Sequence, residues 1–117
     1  MYRPTKYEIR NREARDAAVL AALQSKITRP WWGTSTELHA LLDVHASLGA
    51  QPRPVPRQGF SCSLESLERG ELRERGWTVH RWRTASARRI GLVPPGWVWD
   101  DEASLWVVHG VPLPPQA

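Results

Sequence analysis

The feature that most constrains this chain is a change of hydrophobic period at Gly76. Before it, apolar residues recur at helical spacing; after it, they alternate one by one. A chain that switches period once, with the helices first, belongs to the α+β class. Its 117 residues are the length of one domain. With 41% hydrophobic and 24% charged residues, the composition is globular and excludes a disordered chain, a collagen-like fibre and a coiled coil. No apolar stretch approaches the ~20 residues of a membrane helix.

The helical half divides into three segments. Asn11 is placed to cap a helix reaching about Lys26, with Val19, Leu20, Leu23 and Ile27 as its apolar stripe and Pro30 beyond its end. Trp31, Trp32 and Gly33 follow. Thr34 and Glu37 then form a capping box. The second helix is predicted from Ser35 to Ser47, burying Leu38, Leu41, Leu42 and Leu48, with Gly49 as its left-handed stop. In this reading His45 lies on the apolar side and His39 is exposed. Pro52, Pro54 and Pro56 make residues 50–60 an extended loop. Ser61 or Ser63 caps a third helix that reaches about Arg75, buries Leu64, Leu67 and Leu72, and stops at Gly76.

Beyond Gly76, Trp77 to Arg83 alternates and is rich in aromatic and β-branched residues, as a strand requires. Thr84-Ala85-Ser86-Ala87 is a turn, and Arg88 to Val93 is the return strand. After Pro94-Pro95-Gly96, the runs Trp97-Val98-Trp99 and Leu105-Trp106-Val107-Val108 form a second, short hairpin around Asp100, Asp101 and Glu102. Residues 1–110 are thus one domain, and 111–117 a disordered tail.

Three helices followed by a basic two-stranded hairpin is the order of a winged helix-turn-helix, with residues 77–93 as the wing. The run Trp32-Gly33-Thr34-Ser35-Thr36-Glu37-Leu38, the pair Leu41-Leu42, then Leu64, Leu67 and Leu72, Gly76-Trp77-Thr78-Val79 and Arg88-Arg89-Ile90-Gly91-Leu92 resemble the winged-helix domain of phage and plasmid replication proteins of the primase–helicase type. The resemblance covers residues 30–93. The chain departs from it in a connection of about a dozen residues before the third helix, against the usual ~3–4-residue turn, and in its acidic, Trp-rich end. It implies a DNA-binding module of a replication or regulatory protein, with the second and third helices as the helix-turn-helix pair.

The charge pattern fits an anionic partner. Net charge is +4, and arginines outnumber lysines fourteen to two; the guanidinium fork suits phosphate and guanine edges, though a GC-rich genome biases codons the same way. Residues 61–93 carry seven arginines against four acids, whereas 94–117 carry three acids and no Lys or Arg. Arg81, Arg83, Arg88 and Arg89 fall within nine residues of the wing, placed to grip a phosphate backbone. The same charges protect an exposed hairpin from aggregation. On the third helix, Ser66, Arg69 and Arg73 lie opposite the leucines and would face the groove of a duplex; i,i+4 pairing of Glu65 with Arg69 and Glu71 with Arg75 describes the same face as merely solvated.

The seven tryptophans allow a rival reading. Trp77, with Trp31 or Trp32, reads as core. Trp97, Trp99 and Trp106, with Asp100 and Asp101, could instead form a protein-binding surface. The chain would then be a small phage-encoded inhibitor or adaptor of the anti-CRISPR kind, or pair with a second copy of itself. The same hairpin serves equally to complete a small core. Catalysis has little to work with: His39, His45, His80 and His109 are scattered, and no phosphate loop, nucleophile elbow or metal-binding His pair occurs. The single Cys62 forms no internal disulfide and cannot by itself build a zinc site. The expectation is a non-enzymatic, cofactor-free, cytoplasmic protein without a secretory signal or membrane span.

Overall fold

The computed structural model describes residues 3, 5–47, 51–100, 105–108 and 111–112. The architecture is α+β, with helices packed on small antiparallel sheets. Helix α1 runs over Lys6–Lys26 and starts six residues before the position that an Asn11 cap implies. Thr5 is the cap: its hydroxyl accepts the Glu8 backbone N–H at 3.2 Å, and Asn11 sits within the helix. Val19, Leu23 and Ile27, four residues apart, are buried along one stripe.

Trp31–Thr34 form strand β1, where the sequence shows only a break between helices. Thr34 ends this strand and caps α2, Ser35–Leu42; its hydroxyl accepts the Glu37 N–H at 3.1 Å, and its own N–H donates to Glu37 Oε1 at 3.0 Å. Helix α2 stops well before Ser47. Asp43 takes the left-handed conformation at φ 45°, and Lys26 donates to the terminal carbonyls of Leu41 (3.3 Å) and Leu42 (2.8 Å). Leu41, expected in the core, is 45% exposed, while Leu38 and Leu42 of the same helix are buried. His45 is exposed on strand β2, His45–Ser47, instead of on a helix face. Leu48 and Gly49 lie outside the described residues. Strand β2 pairs with β3, Pro52–Pro54, Ala46 standing opposite Arg53. His39 is half-buried, not exposed: its Nε2 lies 2.8 Å from the Val55 carbonyl and its ring is tilted on Phe60.

Helix α3 spans Arg57–Arg69 and begins at Pro56, ahead of both serines expected to cap it. Pro56 is its N-cap residue, in the extended conformation, and supplies no side-chain capping bond. Phe60, Ser63, Leu64 and Leu67 form its buried stripe. Ser63 ties α3 to α1: Arg15 Nε donates to its hydroxyl at 2.6 Å, and the hydroxyl donates to Asp16 Oδ1 at 2.6 Å. The helix does not continue to Arg75. It breaks at Gly70, and the single turn α4, Glu71–Glu74, redirects the chain so that Leu72 is buried. Gly76, at φ +88°, turns the chain into the sheet as expected.

Strands β4 (Thr78–Arg83) and β5 (Arg88–Val93) form a hairpin, and β1 adds to the far side of β5, giving the order β1-β5-β4. Thr84 closes the turn, its N–H donating to the Ala87 carbonyl at 2.9 Å. Residues opposite one another share a sheet face. Trp31 and Val79 flank Leu92 on the face that packs on the helices, where Ile90 and Leu92 are 1% and 0% exposed. Trp32 and His80 flank Gly91 on the other face. Burying each large aliphatic side chain contributes roughly 1.5–3 kcal/mol, so Leu23, Leu38, Leu64 and Leu92 dominate the interior.

The C-terminal hairpin forms as expected, from β6 (Trp97–Asp100) and β7 (Leu105–Val108). A third strand, β8 (Val111–Pro112), pairs with β7, so ordered pairing extends two residues into the segment predicted as tail. Among the described residues no helix is long and apolar enough to cross a membrane.

Candidate nucleic-acid interface

Strand pairing determines how the arginines of the β4–β5 hairpin are arranged. Arg83 stands directly opposite Arg88 at the end of the β4–β5 hairpin, Arg81 opposite Ile90, and Arg89 opposite Trp82. Pleating therefore puts Arg81, Arg83 and Arg88 on the helix-facing side and Arg89 on the other. All four nevertheless line one hollow of about 390 Å³, together with Trp82 and Glu65. A second hollow of about 200 Å³ adjoins it, lined by Arg81, Arg88 and Arg89 with Ser35 at the start of α2 and Ser61 and Glu65 on α3.

The charges in this cluster are unequally committed. Arg81 is tied to α3: its Nη2 and Nε lie 2.8 and 2.9 Å from Glu68 Oε2. Arg89 contributes to holding the Glu37 carboxyl below the usual glutamate range, behind the larger effects of the Thr34 backbone N–H and then its hydroxyl; desolvation opposes them. Among the described residues, Arg83 and Arg88 have no ion pair and no side-chain hydrogen bond. Two like charges directly opposite on a hairpin destabilise it unless something anionic lies between them.

The helical candidates are not gathered with the hairpin arginines. Ser66 and Arg69 are exposed on α3, but neither lines the basic hollows. Arg69 pairs with Glu65 of its own helix at 3.7 Å. Arg73 belongs to α4, so the break at Gly70 removes it from the face shared by Ser66 and Arg69. The continuous Ser66, Arg69, Arg73 face expected from an unbroken helix does not exist. Ser35 and Ser61 do line the cleft. Sequence reasoning used Ser61 only as a helix cap, and its place beside Arg88 depends on long-range packing.

Among the C-terminal candidates, Trp97 is half-buried and Trp99 is 45% exposed. Trp106 is the register partner of Trp99, and Asp100 that of Leu105. Asp101 and Glu102 lie outside the described residues. Trp99 lies across the outer face of the β1-β5-β4 sheet, where it lines an apolar hollow with Trp32, His80, Arg81 and Trp82. Trp77 is core as expected, whereas Trp32 is 42% exposed. Among the described residues no group of three His, Cys, Asp or Glu side chains is placed to hold a metal. Compared with protein-family models, with curated proteins and with solved structures, the chain gives no match.

Proposed function

We propose that this protein is a non-catalytic winged-helix module, of the kind found in mobile-element proteins, that binds duplex nucleic acid chiefly through its wing. The observation that carries this reading is the facing pair Arg83 and Arg88, which has no carboxylate partner among the described residues. Phosphates between or beside them would remove the repulsion and form charge-assisted hydrogen bonds. The element order supports the reading: three principal helices precede the hairpin, and β1 extends its sheet. Arg89 widens the positive edge, and Ser35 and Ser61 are hydroxyl donors at its base. Helix α3 approaches the duplex beside the wing but adds little charge, because Arg69 is paired within its own helix.

The test is duplex affinity measured across a salt series. Binding should weaken steeply with salt, and replacing both Arg83 and Arg88 by Ala should flatten the log–log slope by roughly 2, about 0.9 for each lost phosphate contact. No affinity at low salt, or an unchanged slope in the double variant, would overturn the proposal.

A further inference from the structure

The outer face of the β1-β5-β4 sheet carries an aromatic surface that phosphate gripping does not use. Trp32, His80 and Trp82 all project from this face. The Trp32 and Trp82 rings meet edge-on at 5.7 Å, and Trp32 lies 6.0 Å from His80. Glycine at 91 makes this possible. A Cβ there would overlap Cζ3 and Cε3 of Trp32, so only a glycine lets the indole lie flat across β5. Trp99 approaches from the C-terminal hairpin and completes an open hollow of about 610 Å³, within the range of small-ligand sites. Trp32, Trp82 and Trp99 remain 42%, 40% and 45% exposed.

We propose that this surface stacks the unpaired bases of a single-stranded nucleic acid whose phosphates are held by the wing. The inference rests on the reading of the wing as a phosphate grip. Two observations select a nucleobase over an apolar peptide side chain. First, no carboxylate among the described residues lines the hollow, while Arg89 stands opposite Trp82 on the same face. Secondly, Trp82 lines both this hollow and the one that holds Arg83 and Arg88. A strand whose backbone follows the arginines therefore has its bases delivered to the indoles. Aromatic platforms beside a basic groove bind single strands with little sequence preference, because every base offers a flat π face.

The experiment compares three probes: oligothymidylate, an abasic oligonucleotide with the same number of phosphates, and a duplex of the same length. Affinities are read by anisotropy and stacking by quenching of indole fluorescence. Oligothymidylate should bind more tightly than the abasic strand and quench the indoles. Trp99→Ala, whose ring lines the aromatic hollow and not the arginine one, should cost roughly tenfold on oligothymidylate and leave the abasic strand and the duplex unchanged, while Trp99→Phe should keep most of the affinity. Trp32→Ala, on a separate element, tests the same surface if Trp99→Ala does not fold. Equal binding of the thymidylate and abasic strands by the wild-type protein would overturn stacking and leave the wing reading standing. Loss of all binding, duplex and abasic included, would overturn the wing reading and the stacking with it. A protein that dimerises through this face, with Trp99→Ala monomeric and its thymidylate affinity unchanged, would show that the surface joins copies of the chain and would also overturn the proposal.

Discussion

Gly91 and Glu37 show how single residues set local geometry. Gly91→Ala places a methyl group where the Trp32 indole lies. Either the ring lifts off the sheet or β1 shifts, and such overpacking costs about 1–3 kcal/mol. The expected result is a lower denaturation midpoint with a red-shifted indole emission; an unchanged midpoint would show that the ring moves freely. Glu37 acts through charge. Its carboxyl sits below the ordinary glutamate range because it accepts hydrogen bonds from Thr34, with help from Arg89. A group with a depressed folded-state pKa contributes stability above its unfolded value, near about 4.3 for glutamate. That contribution is lost as pH falls through the folded value. Glu37→Gln keeps the capping geometry without the titration, so wild-type stability should fall relative to the variant on acidification from neutral pH to about 3. Parallel stability curves would contradict this assignment. The capping box itself is legible in the sequence, because Thr34 and Glu37 act over three residues and need no tertiary context.

At the scale of elements, an ion pair between Arg81 and Glu68 ties the β4–β5 hairpin to α3. Both side chains are partly exposed, at 44% and 27%, so the pair contributes at most about 1 kcal/mol to stability. Its larger effect is to occupy a cation. Glu68→Gln should release Arg81 and raise duplex affinity about threefold at low salt, with little change in thermal stability. Unchanged affinity would mean that Arg81 does not face the phosphate path. The elements that the sequence conceals are those decided by distant partners. The residues Trp31–Thr34 become a strand only because β5 offers its edge to them, some sixty residues later in the chain. Helix α2 ends at Asp43 because Lys26, from another helix, satisfies its terminal carbonyls, although the alternating burial of Val44 and Ala46 carries a strand signal in the residues themselves. The β4–β5 hairpin is legible because alternation, turn and breaker all lie within twenty residues. The helical part of the candidate site is not, since the redirection at Gly70 follows from the burial of Leu72 and not from any local breaker stronger than one glycine.

At the scale of the whole molecule, the buried core described runs from Val19 to Val93, with Pro94 buried just beyond it. A chain ending at Pro95 should therefore retain cooperative unfolding and helical circular dichroism, while the indoles of Trp32 and Trp82 become more solvated once Trp99 is gone. A truncated chain that fails to fold would assign the C-terminal strands to the core instead. Basic residues and aromatic rings thus meet along one sheet, and at Thr34 that sheet runs directly into a helix. Thr34 is the last residue of β1, stands opposite Arg89, and is the cap of α2. A slip of one residue along β1 would exchange Trp31 and Trp32 between the two faces and deprive α2 of its first-turn acceptor. One residue therefore fixes both which indole faces the interior and where the helix that supplies Leu38 and Leu42 to it begins.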